Sequence, residues 1–466
     1  MFYLCRLSFT DQRFARYPPL PVLQCVGYEP RVPNPESRIP SPESRVVARI
    51  LLTSWGSFGD VYPYVGIALA LKGRGHRPVL AMPEFYRAVV EGLGLEFHPV
   101  GPQIDPDDRA TIARLMDPIR GSEAIVAGLL IPSLRADYAA LEAAARGANL
   151  IVTHPITFAA PIVAQAHRLP WVSTVLAPIS FFSAIEVPVL PAAPRLVHLR
   201  RLGPWVGRLI GHAVRRATRR WMDPVHTLRA ELGLPRGAHP LFEGQFSPTL
   251  TLALFSRVLG SPQPDWPSNV VTTGFVFYNG PDVMQPDLEE FLAAGPPPVV
   301  FTLGTSAVGA AGSFYEESVK AVARLGVRAV LLTGGFEQNR PKGALPRDVM
   351  VIDRAPHQRL LPRSSAVVHQ VGAGTTGQAL RAGRPMLVVP HGHDQPDNAF
   401  RVVNLGVART VWPGAYRERR VAHELGILLG SDAYRARASE IAAIVRTEGG
   451  VDAAAAGIEG VLRVSA

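Results

Sequence analysis

The sequence predicts an α/β protein built from two doubly wound, Rossmann-like domains that face each other across a cleft. Short apolar runs rich in β-branched residues alternate with helical patterns, as in parallel sheets covered by helices. The alternation begins at Val47 and restarts with the same character at Pro298. A proline-rich stretch, residues 280–298, separates the two series. A length of 466 residues also favours more than one domain.

The first series, residues 47–279, is the predicted N-terminal domain. Its first strand leads into the glycine-rich turn 56–60. The predicted strands cover residues 47–54, 77–82, 95–100, 150–154 and 171–176. The predicted helices cover residues 65–73, 85–92 and 158–167.

The second series, residues 299–431, is the predicted C-terminal domain. Its strands are expected at residues 299–303, 327–332, 349–353, 366–369 and 386–390, with a loop at 304–312 and a helix at 314–325. Residues 432–466 are alanine-rich and helical in pattern, and we expect them to pack back toward the N-terminal domain. Because doubly wound sheets bind ligands at the carboxyl ends of their strands, the cleft is the expected active site.

The positive charge is concentrated in one segment of the chain rather than spread along it. Of the formal net charge of +10, residues 195–236 supply +8, from ten arginines against Asp223 and Glu231. A general nucleic-acid binder would be basic along a whole face, so this class is disfavoured. The two cysteines, Cys5 and Cys25, lie in the first 46 residues, which excludes a cysteine nucleophile or a cysteine-ligated zinc in the remainder. No transmembrane span or signal peptide is evident.

Residues 1–46 differ in character from the rest. They are rich in proline and arginine and contain a near-identical tandem, residues 34–38 and 41–45. We interpret them as a disordered or non-native extension, because they have neither amphipathic period nor core-forming runs.

The most specific pattern surrounds the predicted strand that ends at His369. A turn with Gly372 and Gly374 follows, and a helix is expected to begin near Thr375. Backbone N–H groups at a helix start bind phosphate together with the helix dipole. His369, Thr375 and Thr376 would add hydrogen-bond donors. A tight turn required only by packing is the alternative interpretation.

The residues around this turn carry a family resemblance. Arg354-Ala355-Pro356-His357 precedes the turn, and His393-Asp394-Gln395-Pro396-Asp397-Asn398 follows it. In order and spacing over residues 351–407, this ensemble resembles the nucleotide-sugar site of family 1 glycosyltransferases with the GT-B fold. The resemblance implies that residues 299–431 bind a nucleotide sugar, that residues 47–279 bind the acceptor, and that residues 280–298 link them.

The resemblance also implies roles at the donor site. The segment 354–357 would line the nucleobase, and the turn after His369 would hold the diphosphate. Asp394 and Gln395 would bind the sugar hydroxyls, although Asp394 could equally cap a helix. The implied donor-binding residues are Gly304, Thr305, Arg354, Ala355, His357, His369, Gly372, Gly374, Thr375, Thr376, Asp394 and Gln395.

Two positions depart from the family pattern. Gln378 stands where related plant enzymes place a ribose-binding glutamate, which puts the ribose contact in doubt. Val371 stands where a glycine is usual in the bacterial form of the turn.

Asp60 is the candidate catalytic base. It closes the turn 56–60, where it could also simply cap the following helix. The form Gly-x-x-Gly-Asp-Val resembles the bacterial and sterol-type branch of the family, in which an aspartate takes the place of the more usual histidine. As a base, Asp60 would take the proton of an acceptor hydroxyl.

The acceptor is expected to be hydrophobic. With Asp265-Trp266-Pro267 and Thr273-Gly274-Phe275, and over most of residues 48–425, the chain also resembles the rhamnosyltransferase of rhamnolipid synthesis (its B subunit) and its bacterial, MGT-like relatives. This resemblance suggests a dTDP- or UDP-sugar donor and a hydroxylated lipid or small polyketide-like acceptor. Aromatic side chains in the N-terminal domain are more often core than pocket. The candidate acceptor-binding residues are Ser57, His154, Phe158, Phe181 and Phe182.

The predicted reaction is an inverting, metal-independent sugar transfer in the cytoplasm, with no cofactor besides the nucleotide sugar. A glucosyltransferase that uses UDP-glucose on terpenoids, carotenoids or phenolics is an alternative. A non-catalytic sugar-nucleotide-binding partner subunit and a nucleotide-sugar epimerase of the same fold are two others.

The basic segment is expected to form an amphipathic helix over residues 205–222. One side is apolar and another carries Arg208, His212, Arg215, Arg216 and Arg219. The apolar side could pack on the domain, or the helix could lie on an anionic membrane as a peripheral contact.

Overall fold

Two parallel sheets organise the chain. In the computed structural model, residues 47–105, 108–280 and 282–465 are described, so the proposed extension 1–46 lies outside the described residues. Each sheet has the Rossmann order, with a crossover that places its first strand at the centre. The predicted fold class is confirmed.

The N-terminal sheet has seven parallel strands in the order β3-β2-β1-β4-β5-β6-β7. Its centre is fully buried, which explains why the strands read as continuous apolar runs. The strands are β1 (Arg49–Thr53), β2 (Arg77–Met82), β3 (Glu96–Pro99), β4 (Leu150–Thr153), β5 (Trp171–Val175), β6 (Leu250–Ala253) and β7 (Val270–Thr272).

Helices cover both faces of this sheet. The first begins at Phe58, seven residues before the predicted start, because Ser57 and Asp60 form a capping box. The helices are α1 (Phe58–Gly73), α2 (Arg87–Gly92), α3 (Arg109–Leu115), α4 (Gly121–Ile125), α5 (Ile131–Ala144), α6 (Ala159–Ala166), α7 (Pro204–Thr218) and α8 (Asp223–Glu231).

A π-helical turn, Val126–Leu130, joins α4 and α5 into one helical run. Among the described residues, this run (121–144) is the one helix that length and composition alone would allow to span a membrane, which was not predicted from the sequence. Leu134, Leu141 and Ala144 are buried in the N-terminal core, and α5 packs on α6.

The C-terminal sheet has six parallel strands in the order β10-β9-β8-β11-β12-β13. The segment 304–312, predicted as a loop, contains a one-turn helix followed by a 3₁₀ turn. The strands are β8 (Val299–Thr302), β9 (Ala329–Leu332), β10 (Val349–Ile352), β11 (Ala366–His369), β12 (Met386–Val388) and β13 (Ala408–Thr410).

The remaining helices pack around this sheet and return to the first domain. The stretch 280–298 contains α9, whose Leu288 is buried, so it is partly structured. Ile458 of α17 is buried in one cluster with Val65 of α1. The helices are α9 (Pro286–Ala293), α10 (Gly304–Ala307), α11 (Phe314–Leu325), α12 (His357–Leu360), α13 (Ala373–Ala382), α14 (Gln395–Asn404), α15 (Glu418–Gly430), α16 (Asp432–Thr447) and α17 (Gly450–Ser465).

The two sheets meet through the helices that follow their central strands. The backbone N–H of Phe58 at the start of α1 donates to Thr305 Oγ1 over 3.2 Å. A Cβ on Gly374, in the first turn of α13, would lie 3.4 Å from Cα of Gly59. The point at which the strand order reverses in one sheet therefore faces the corresponding point of the other sheet. Ligand crevices form at such points, so those of the two domains lie in one cleft.

Candidate active site

Asp60 is held rigidly at the first turn of α1. Its Oδ2 accepts hydrogen bonds from the backbone N–H of Ser57 at 2.7 Å and from the Ser57 hydroxyl at 3.0 Å. Gly56 has a φ of +131°, and a Cβ there would lie 2.4 Å from Asp60 Oδ2, so only glycine fits beside the carboxylate. Asp60 does cap its helix through Oδ2, and Oδ1 takes no part in the capping box.

His154 faces that second oxygen. The side chain follows β4, is almost fully buried, and places Nε2 3.7 Å from Asp60 Oδ1. Its Nδ1 accepts the backbone N–H of Ile156 at 3.4 Å, so the neutral ring carries its proton on Nε2. Among the described residues, Nε2 has no hydrogen-bond partner. The structure thus brings Ser57, Asp60 and His154 together.

A narrow apolar cavity adjoins this group. Its volume is only about 20 Å³, and Phe158, Trp55 and Leu134 line it together with Ser54 and Thr157. The Ser54 hydroxyl donates to the main-chain carbonyl oxygen of Asp60 at 2.9 Å, so the cavity wall contacts the backbone of the candidate base. Phe158 lies in this wall.

Phe181 and Phe182 line a different and larger cavity of about 660 Å³. The Phe181 ring stacks on Trp266 with centroids 3.9 Å apart and is buried in an aromatic cluster. Phe182 packs edge-on against Phe242. The structure does not group these two rings with Asp60.

The turn after β11 leads to a helix start without a side-chain cap. Gly372 occupies the N-cap position of α13 and has no side chain to satisfy the first N–H groups. The Thr376 hydroxyl donates to the Gly372 carbonyl at 2.9 Å, whereas Thr375 is buried beside it. Backbone N–H groups of the first turn therefore stay available to an anion, as expected of a phosphate site.

His369 is a neutral donor at this turn. The ring is fully buried, its Nδ1 accepts the backbone N–H of Val371 at 3.1 Å, and Nε2 has no partner among the described residues. Burial, and secondarily the nearby His357, lower the pKa of His369 to about 3. Burial also lowers the pKa of His357 to about 4. Near neutral pH both rings are uncharged.

Gln370 packs against two glycine-containing turns, the one at Gly304 and the one at Gly372. Its buried amide nitrogen lies 2.2 Å from where a Cβ on Gly304 would stand, and Gly304 has a φ of +56°. Its Oε1 is buried without a partner among the described residues. No role was predicted for Gln370, although its place directly after His369 at the end of a central strand was a usable signal.

Val371 adopts a φ of +60°, which is unusual for a β-branched residue and is strained by about 1–2 kcal/mol. The side-chain amide of Asn398 donates to the Val371 carbonyl at 3.1 Å and to Asp394 Oδ2 at 2.7 Å. Asn398, also unassigned from sequence, thus ties the phosphate turn to the loop that carries Asp394.

Asp394 stands at the N-cap position of α14, but its side chain makes no capping hydrogen bond. Burial, and then the charge of Asp60, raise the pKa of Asp394 to about 7. The two carboxylates are therefore close enough to interact across the cleft. Gln395 is buried, and its Oε1 accepts the backbone N–H of His391 at 2.8 Å.

Part of the N-terminal domain packs on the donor side of the cleft. Met116, which follows α3, belongs to the same buried cluster as Leu303 and Val308 of the C-terminal domain. A Cβ on Gly121 would lie 3.3 Å from the His393 ring. Residues 108–122 thus contact the loop directly before Asp394, an arrangement that was not predicted from the sequence.

Comparison with known proteins decides the family. The family model described as "Erythromycin biosynthesis protein CIII-like, C-terminal domain" matches residues 319–449. The O-mycaminosyltylonolide 6-deoxyallosyltransferase of Streptomyces fradiae is 33% identical over 424 residues, which cover 88% of this chain and 97% of that protein. The chain is a family 1 glycosyltransferase.

Solved structures agree on the fold of this glycosyltransferase. The glycosyltransferase VinC in complex with dTDP covers 90% of the chain and 99% of its own length, with a TM-score of 0.64 and 24% identity. The spinosyn rhamnosyltransferase SpnG complexed with thymidine diphosphate covers 88% and 100%, with a TM-score of 0.63 and 18% identity. At these identities, the likeness establishes the GT-B fold.

The glycosyltransferase carries Arg354 and Ala355 in its expected nucleobase segment, and it departs from the family pattern at Gln378, the expected ribose position. Arg354 is exposed after β10, beside the partly buried Ala355 and close enough to Tyr62 for its charge to act on that phenol. Gln378 donates to the Asn279 side chain at 2.8 Å and accepts from Arg381 at 2.8 Å. Its amide is therefore engaged within the protein rather than directed only at a ribose.

Proposed function

We propose that this glycosyltransferase moves a sugar from a dTDP- or UDP-sugar to a hydroxyl of a hydrophobic acceptor, with inversion and without a metal ion. One observation carries the proposal: Asp60 Oδ1 lies 3.7 Å from the unpartnered His154 Nε2, and the charge of Asp60 acts on Asp394. Asp60 would serve as the base, His154 as the donor that orients the acceptor hydroxyl, and Asp394 as a sugar-binding carboxyl.

The reaction would proceed as a single displacement. The acceptor hydroxyl passes its proton to Asp60 Oδ1 while its oxygen forms a bond to the anomeric carbon. The bond from that carbon to the phosphate oxygen breaks, and its electron pair leaves with the nucleoside diphosphate. Attack from the face opposite the leaving group inverts the anomeric configuration.

The charge of the leaving diphosphate would be met by fixed donors. The uncapped start of α13, the Gly304-Thr305 turn and the neutral Nε2–H of His369 are set in place before the reaction. Preorganised donors of this kind stabilise a developing charge without reorganisation. A metal ion is not required in this scheme.

Thymidine diphosphate is the favoured nucleotide. VinC and SpnG, which share the fold over about nine-tenths of the chain, were solved in complex with dTDP and thymidine diphosphate. SpnG is named a rhamnosyltransferase, which agrees with the narrower likeness to the rhamnolipid group. A UDP-glucose donor ranks second, because Gln378 stands where related enzymes place a ribose-binding glutamate.

The acceptor would enter from the side of Phe158. The cavity wall includes Ser54 and Thr157, whose hydroxyls donate to the main-chain carbonyls of Asp60 and His154. Its apolar lining suits a lipid or a polyketide-like molecule. The cavity is nearly closed, so this proposal requires it to widen when the acceptor binds. We place the reaction in the cytoplasm, with peripheral contact at the inner membrane face.

The test is the Asp60→Asn variant, assayed by mass spectrometry with dTDP- and UDP-sugars against hydroxylated hydrophobic acceptors. Asparagine keeps an oxygen for the Ser57 hydrogen bonds, so the fold and donor binding should persist. Turnover should fall about 10²–10⁴-fold, the usual contribution of a general base. Full turnover of Asp60→Asn would contradict the assignment.

The same assay separates the alternatives. A partner subunit without catalytic activity would give no product with any donor and acceptor, although calorimetry would still show nucleotide binding. An epimerase would convert the nucleotide sugar when no acceptor is present. The anomeric configuration of the product shows whether the reaction inverts. Turnover that is undiminished when a chelator is present shows that no metal ion is needed.

A further inference from the structure

Helix α7 and the 3₁₀ run before it, Pro194–Leu202, expose large apolar side chains to solvent. Leu202 is 58% exposed, Trp205 is 56% exposed and Leu209 is 61% exposed. Apolar residues of this size normally lie inside when they occur together. Their concentration within about eight residues therefore marks this face as a contact surface.

The exposure follows from how the helix packs. Gly207 approaches the Ala184 backbone so closely that a Cβ would lie 2.1 Å from its carbonyl oxygen, and Gly211 is buried on the same face. Because the small residues take the inner side, Leu209, Ala213 and Ala217 of the predicted apolar side point outward. Val206 of the same side is buried, so the predicted apolar side packs on the domain in part.

The exposed face joins apolar and cationic residues. The Trp205 indole N–H donates to the Leu202 carbonyl at 2.8 Å, so the exposed ring presents hydrocarbon. Exposed arginines lie along the same segment, on both sides of Leu209 in the sequence. Arg208, Arg216, Arg219 and Arg220 are exposed and have no ion pair with a described residue.

We propose that the surface formed by residues 199–220 docks on an anionic lipid bilayer, with Leu202, Trp205 and Leu209 at the interface and the arginines on lipid phosphates. Aromatic and leucine side chains beside unpaired arginines are the combination that interfacial helices use. The net charge of +8 over residues 195–236 complements anionic headgroups. An acidic protein would match the charge, but it would not require the exposed apolar side chains.

A cavity beside the helix extends this surface. Arg208 and His212 border the cavity of about 660 Å³, and Phe182 and Trp266 contribute apolar lining. A lipid headgroup near Arg208 would thus lie next to an apolar recess. This docking rests on the peripheral membrane location given in the proposed function. Lipid binding is measured without any sugar transfer, so the docking proposal and the proposed reaction can each fail independently of the other.

The experiment is co-sedimentation of the full chain with vesicles of phosphatidylcholine, with or without phosphatidylglycerol. We expect at least about tenfold more binding to the anionic vesicles at low salt, and loss of that difference at high salt. The paired variants Trp205→Ser with Leu209→Ser, and Arg216→Glu with Arg220→Glu, should each abolish most of the binding. Transfer to a water-soluble acceptor should stay unchanged in both.

Matched controls make the result specific. Trp412 and Val403 are also exposed, at 44% and 38%, but lie in the C-terminal domain, so Trp412→Ser with Val403→Ser should bind vesicles like the parent. Equal binding to neutral and anionic vesicles would overturn the proposal. So would binding that needs the arginines but not Trp205 and Leu209, because that outcome indicates an acidic protein partner.

Discussion

His154 Nε2 lies 3.7 Å from Asp60 Oδ1, too far for a direct hydrogen bond. An acceptor oxygen placed between them could form a hydrogen bond of about 2.8 Å to each, because two such bonds readily span this separation. His154 would donate to that oxygen, and Asp60 would accept its proton. The unpartnered, buried Nε2 is explained by this arrangement.

His154→Phe should therefore lower kcat/KM by roughly tenfold, since a neutral hydrogen bond contributes about 1–1.5 kcal/mol. His154→Gln should recover much of the loss, because its amide nitrogen reaches near the Nε2 position and can still donate. Steady-state kinetics with varied acceptor concentration measure kcat/KM for both variants. Donor affinity, measured by calorimetry, serves as the control.

Equal losses in the two His154 variants would contradict this role. They would indicate that the ring acts only by filling space beside Tyr64, whose ring centroid lies 5.8 Å away. Donor affinity that falls along with kcat/KM would point to a disturbed cleft instead.

Sequence patterns anticipated the central strands of both sheets because buried parallel strands are almost wholly apolar, but they did not reveal the short strands β6, β7 and β13. The turn after β11 was equally predictable as a structure, because glycines between a strand end and a helix start form a recognisable pattern. Residues 108–122 were not predictable, since their helices are short and their partners, such as His393, lie far away in the sequence.

Two further features, the role of Asn398 and the packing of α7, could not be predicted from the sequence for physical reasons. Asn398 acts through an amide that joins Asp394 to the Val371 carbonyl, a link that exists only once α14 and the turn are folded. Helix α7 was interpreted by its apolar residues, but its packing is decided by Gly207 and Gly211, which carry no hydrophobic signal.

Asp394 should make the protein less stable as pH rises. Burial and the Asp60 charge raise the pKa of Asp394 to about 7, whereas an aspartate in an unfolded chain titrates near about 3.9. Between those values the folded state holds a proton that the unfolded state releases, so the stability present at low pH is lost as pH rises through about 7.

We expect the thermal unfolding midpoint to fall between about pH 5 and about pH 8 more steeply in the parent than in Asp394→Asn. Asparagine keeps the bond from Asn398 but cannot titrate, and the buried histidines contribute equally to both curves. Differential scanning fluorimetry over that range measures the difference. Parallel curves for the two proteins would show that Asp394 is ionised in the folded state.

Gly121 controls how residues 108–122 sit against the donor loop. A Cβ there would lie 2.4 Å from the Leu115 carbonyl oxygen, so Gly121→Ala must shift the segment and, with it, the contact to His393. Because His393 directly precedes Asp394, the KM for the nucleotide sugar should rise by roughly tenfold, as small misplacements of binding groups do. Steady-state kinetics with varied nucleotide sugar measures this change.

The matched control for Gly121 lies in the same helical run. Gly128 has open space around it, so Gly128→Ala should leave the donor KM unchanged. A thermal midpoint recorded for each variant separates an effect on the donor site from an effect on the fold. If Gly121→Ala lowers only the midpoint and leaves the donor KM as in Gly128→Ala, residues 108–122 support the fold without shaping the donor site.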